Sequence, residues 1–157
     1  MVESLVEQII HKIDQVSQLY YRLILVVASG MGKTTALREV AEHTTFGYTN
    51  LNLELSQRLL GLTERQRSLQ VSRLLNEILE ENGTQVVLLD NIELLFDTSL
   101  KQDPLRLLQG ISRNRTVVAN WNGSIENKHL IYAQPDHPEY RRYPTAGLLV
   151  IGVEQRR

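Results

Sequence analysis

The 157-residue sequence contains no cysteine, which excludes disulfides and thiolate metal sites but says nothing about compartment. It has no apolar run near the ~20 residues that a membrane-spanning helix needs. Residues 1–14 alternate charge with aliphatics and have no signal-peptide architecture, so a cytoplasmic location is the expectation. An excess of one charge is missing too: 17 Lys and Arg stand against 18 Asp and Glu, a formal net charge of −1. That balance leaves no footprint of direct DNA binding or of an anionic membrane partner. No internal repeat and no low-complexity segment interrupts the chain. What is present is ordinary for a globular protein, 42% hydrophobic and 22% charged. A single domain over residues 1–157 is expected, burying about 68–70% of its unfolded surface.

Leu5, Ile9, Ile13, Val16 and Leu19 recur at helical spacing, so residues 2–20 read as an amphipathic helix. Residues 23–27 are an unbroken aliphatic run, the signature of a strand buried on both faces of a parallel sheet. A helix is predicted over 33–42 and a weaker strand over 48–53. Thr63 and Gln66 form a capping box that opens a long helix, and Asn82-Gly83 ends it. Residues 85–89 are a third strand. Asp103-Pro104 opens a short helix to about residue 112. Residues 116–119 and 148–153 complete five strands. Strands alternating with helices predict a three-layer α/β domain with a mostly parallel five-stranded sheet. Residues 122–143 are polar, carry Pro135 and Pro138, and read as a loop-rich segment with at most one short helix.

The informative stretch is Ala28-Ser29-Gly30-Met31-Gly32-Lys33-Thr34-Thr35, between a buried strand and a helix, the context a phosphate-binding loop requires. Glycines let successive N–H groups curl around an anion, and the following helix aims unpaired N–H groups at it. The pattern predicts binding of ATP with Mg²⁺. Ser29, Gly30, Met31, Gly32, Lys33, Thr34 and Thr35 would hold the nucleotide, Lys33 at the β- and γ-phosphates and the Thr34 hydroxyl on the metal. The pattern is incomplete, because Val27 stands where a glycine is usual.

Asp90 ends the aliphatic strand Val86-Val87-Leu88-Leu89, where an acid can hold Mg²⁺ through water. The alternative is a helix cap for the residues from Ile92 onward. ATPases of this type often place a water-activating glutamate directly after that aspartate. This chain has Asn91 there, and Glu93 is the next acid, either a catalytic group or a solvated helix residue. Asn120, at the end of the fourth strand, could touch the γ-phosphate or an attacking water, or serve the turn-rich Asn120-Trp121-Asn122-Gly123. Arg141 and Arg142, before the last strand, could reach a neighbour's nucleotide as arginine fingers, or be solvated surface groups.

The loop Ser29-Gly30-Met31-Gly32-Lys33-Thr34, the strand Leu88-Leu89-Asp90-Asn91-Ile92-Glu93, Asn120, and the segment Tyr132-Ala133-Gln134-Pro135-Asp136-His137-Pro138-Glu139-Tyr140 fall in the order seen in small P-loop ATPases of the AAA+ class. In size and in that last segment the chain resembles the BrxF family of type 3 BREX (bacteriophage exclusion) gene clusters. The resemblance implies a regulatory or assembly ATPase subunit of a phage-defence complex, forming a homo-oligomer or docking on other subunits. Val27 and Asn91 depart from the family pattern. The chain ends at Arg157, after the fifth strand, without the helical lid of larger relatives. Two other functions stay open: a nucleotide-binding module with negligible hydrolysis, and a small nucleotide kinase.

Overall fold

A computed structural model describes residues 4–27 and 32–152. The first helix, α1 (Leu5–Val16), begins in a capping box between Ser4 and Glu7 and buries Ile9, Ile13 and Val16. It stops short of the predicted residue 20, and Leu19 lies outside the core, 47% exposed. Strand β1 (Leu23–Val26) is buried at every position. Then come α2 (Gly32–His43), β2 (Gly47–Asn50), α3 (Leu51–Leu59) and α4 (Glu64–Asn82).

The strand predicted over 48–53 is cut at Asn50. The Asn50 side chain accepts from Leu53 N–H at 3.1 Å and caps α3, which buries Leu51, Leu55 and Leu59 one turn apart. The Thr63–Gln66 capping box and the left-handed Gly83 (φ 72°) bound α4 as expected. Next are β3 (Val86–Asp90), α5 (Pro104–Ile111), capped by Asp103, and β4 (Thr116–Asn120).

The strands β1 to β4 and the last strand, β8 (Leu149–Ile151), form a five-stranded sheet in the order β2-β3-β4-β1-β8. Every pairing in it is parallel. Alternate residues feed two cores, as the pleat requires. Ile24, Val26, Leu88 and Val118 pack with α1 and α2 on one face. Leu25, Val87, Leu89, Val117 and Ala119 pack with α3, α4 and α5 on the other. The result is a three-layer α/β core around a five-stranded parallel sheet. Among the described residues, no helix is long and apolar enough to cross a membrane.

The segment expected to be loop-rich is instead a second sheet. Strands β5 (Ser124–Glu126), β6 (His129–Tyr132) and β7 (Arg141–Pro144) pair antiparallel. Asn127 and Lys128 turn β5 into β6 with φ of 49° and 60°. Two consecutive positive φ angles are what a tight hairpin turn demands. Ile125, Leu130 and Tyr143 are cross-strand neighbours on the inner face. The sheet is held to the body by aromatics: Phe96 stacks on Tyr132 at 3.6 Å, and Trp121 meets both edge-on. The buried Trp121 indole N–H donates to the Ile131 carbonyl at 3.0 Å.

Candidate functional site

Ala28, Ser29, Gly30 and Met31 lie outside the described residues, so the first half of the predicted loop has no geometry to report. Gly32, Lys33, Thr34 and Thr35 form the first turn of α2, the next described element after β1. Lys33 is buried and Thr35 is exposed. This turn lies at the carboxyl ends of the parallel strands, where open α/β sheets bind ligands.

Asp90 organises the site. Its carboxylate is 4% exposed and accepts four hydrogen bonds. Thr34 Oγ1 donates to Oδ2 at 2.7 Å, and so does the Tyr48 hydroxyl at 2.8 Å. Asn120 Nδ2 and the Asn91 N–H each donate to Oδ1 at 3.0 Å. Burial alone would push this carboxyl up. The bonds from Asn120, Thr34, Tyr48 and Asn91 outweigh it and hold the group below the usual carboxylate range. Asp90 caps no helix: the 3₁₀ turn Glu93–Phe96 that follows starts without a side-chain cap. Three predicted residues, Thr34, Asp90 and Asn120, therefore meet in one cluster.

Asn120 is 1% exposed, and its Oδ1 has no hydrogen-bond partner among the described residues. An unmet buried acceptor costs about 1–3 kcal/mol, so its presence beside a carboxylate fits a site that takes a donor from outside. A hydroxyl, a carboxylate and an amide oxygen are hard oxygen donors, which suits Mg²⁺ and its water shell.

Asn91 has a φ of 55°, in the left-handed region that asparagine tolerates better than most residues. Its carbonyl accepts the Asn52 N–H at 2.8 Å. A glutamate at this position would carry the backbone cost of that conformation. Glu93 is half-buried between two asparagines, accepting from Asn52 Nδ2 at 3.3 Å and Asn122 Nδ2 at 3.0 Å. Burial first, and then the Asp90 charge, push its carboxyl up. A cavity of about 710 Å³ opens beside it, lined by Asn52, Ser56, Asn91, Glu93, Asp97 and Glu139.

The two arginines part company on β7. Arg141 donates to the Gln102 carbonyl at 3.1 Å and is half-buried, whereas Arg142 is exposed, 3.3 Å from His129 Nδ1. Both belong to the small sheet rather than to the lead-in of β8. Sequence reasoning missed Tyr48, Asn52 and Asn122. Tyr48 reaches Asp90 because β2 lies beside β3 with Asn50 opposite Asp90, a register no local pattern encodes.

No protein-family model matches the chain, and no curated protein matches it. Among solved structures, a chain from a study of katanin self-assembly is similar, with 20% identity and a TM-score of 0.43. The match covers 77% of this chain and 44% of that one, so the protein spans less than half the length of the katanin chain.

Proposed function

We propose that the protein binds ATP together with Mg²⁺ at the carboxyl ends of β1, β3 and β4. The observation that carries this reading is the meeting of Thr34, Asp90 and Asn120, with Asn120 Oδ1 lacking a donor among the described residues. In this reading Lys33 faces the phosphates, Thr34 ligates the metal, and Asp90 holds it through water. The metal neutralises charge on the phosphates. Asn120 Oδ1 orients a water, and the raised proton affinity of Glu93 suits it to accept a proton. Glu93 is tied to two amides and Asn91 is no base, so hydrolysis is slow, below the ~10 s⁻¹ median of enzymes. Isothermal calorimetry with a non-hydrolysable ATP analogue, with and without Mg²⁺, tests the reading. Absence of binding under both conditions rejects it.

The resemblance to BrxF extends the proposal to a regulatory or assembly subunit of a BREX phage-defence complex. Co-purification with the products of a type 3 BREX cluster, dependent on nucleotide, tests that part. The cavity beside Glu93 favours one second reading, phosphoryl transfer to a small polar acceptor in place of water. Labelled phosphate appearing on a nucleoside, and not as free phosphate, would select it.

A further inference from the structure

We propose that the Tyr48 hydroxyl is a placeholder on Asp90, occupying the position a metal-bound water needs, so that a divalent cation must displace it to load the site. The inference rests on the Mg²⁺–nucleotide reading above and adds a control element that neither the loop motif nor the resemblance marks.

An ionised carboxylate offers about four lone-pair sites. Asp90 already has four donors, two on each oxygen: Asn120 and Asn91 on Oδ1, Thr34 and Tyr48 on Oδ2. A water carried in by a cation is a fifth donor, and one of the four must yield. The Asn91 N–H is main chain adjacent to Asp90 and cannot leave without moving the turn. Asn120 is buried at the end of β4, with no room to swing. Thr34 is itself the hydroxyl offered to the metal, and an oxygen that ligates a cation can keep donating its proton to the carboxylate. Tyr48 differs from all three. It is only half-buried, and the Arg38 guanidinium of α2 sits 5.4 Å from its ring centroid. A phenol that swings off Asp90 therefore remains in contact with α2 and reaches water. Tyr48 also quenches the charge that would attract a cation. Without metal the carboxylate is satisfied, and stray cations are held weakly until nucleotide phosphates add their own ligands.

The test is a Mg²⁺ titration, followed by calorimetry, of the full chain with a fixed non-hydrolysable ATP analogue. Wild type is compared with Tyr48→Phe, Asp90→Asn and the double variant, and Tyr48→Leu serves if the phenylalanine variant does not fold. A hydrogen bond to a charged group sets the scale: the Tyr48→Phe midpoint for Mg²⁺ should fall about tenfold. Nucleotide affinity in EDTA should stay within about twofold of wild type, since phosphates do not compete for Asp90. In the Asp90→Asn background the gain should vanish, because the competition is for that carboxylate. An unchanged or higher midpoint in Tyr48→Phe overturns the placeholder and points to a brace, while leaving nucleotide binding intact. A gain that survives Asp90→Asn also overturns it. Wild type that binds no nucleotide with or without Mg²⁺ overturns the functional reading and this inference together.

Discussion

Two polar-to-apolar boundaries in this molecule are built in opposite ways. At the end of the central sheet, side chains gather round one buried carboxylate, and an amide oxygen beside it has no partner among the described residues. At the small sheet, aromatic faces do the holding and the polar atoms are met: the Trp121 N–H finds Ile131, and the Tyr143 hydroxyl donates to Asp103 Oδ1 at 2.9 Å. Burial first, then that bond to Asp103, keep the Tyr143 phenol protonated well beyond its ordinary range. The contrast separates a region arranged to receive something from one arranged to stay docked. Variants in the first should change binding more than stability, and variants in the second the reverse.

The largest effect should come from the docked region. Trp121→Ala removes a fully buried ring and its hydrogen bond, and should cost about 3–5 kcal/mol in denaturant unfolding. A loss below about 1 kcal/mol would show that the aromatic cluster is not what seats the small sheet. Gly123→Ala is next: a Cβ there would lie 1.9 Å from the Ile131 carbonyl oxygen, so the strand must move, at about 1–3 kcal/mol. Calorimetric melting checks it, and an unchanged midpoint contradicts the tight approach.

The receiving region should answer in binding. Lys33→Ala should weaken ATP at least about tenfold, about 1.4 kcal/mol, with little change in unfolding. Equal affinity in a folded variant would reject the phosphate site. Asp90→Ala should lower Mg²⁺–ATP affinity more than metal-free ATP affinity, and equal losses would count against metal binding.

The smallest effect concerns pH. Glu93 has a raised carboxyl, so folding favours its protonated form, and its ionisation costs stability as pH rises through that folded value. Glu93→Gln should then raise the melting temperature at pH 7 by the equivalent of less than about 1 kcal/mol. The gain should shrink as pH falls, because the raised Glu93 carboxyl of the wild type is then increasingly protonated. Asp90 has the opposite sign. Its depressed carboxyl contributes stability above about pH 4, and loses it as pH falls below that value.

The sequence made the central sheet legible because its strands are continuous aliphatic runs, and strand-terminal polar residues such as Asp90 and Asn120 stand out against them. Tyr48 and Asn52 were not legible. Their roles depend on β2 lying beside β3, a pairing of residues about forty positions apart that leaves no local mark. The small sheet was hidden for another reason. Its strands are three or four residues long, and the Asn127-Lys128 turn lacks the glycine that usually signals a hairpin. Arg141 shows what that concealed: a residue read as either an arginine finger or a solvated surface group is tied to the Gln102 carbonyl. Of the two arginines on β7, Arg142 is the exposed one, so Arg142→Ala, measured by sedimentation with an ATP analogue, is the cleaner test of self-association. A monomer at every concentration, with and without the analogue, would reject self-association.

The strand order β2-β3-β4-β1-β8 has a consequence for the making of the chain. Among the described residues β1 is the first strand in the chain, yet its neighbours are β4 and β8, whose residues begin at Thr116 and Leu149. Translation proceeds at roughly 5–20 residues per second, so four aliphatic side chains wait several seconds for a partner. The nascent chain is thus exposed to wrong pairing over most of its length. A ribosome-bound fragment ending before residue 116 should bind holdase chaperones, and one that includes β4 should begin to let them go.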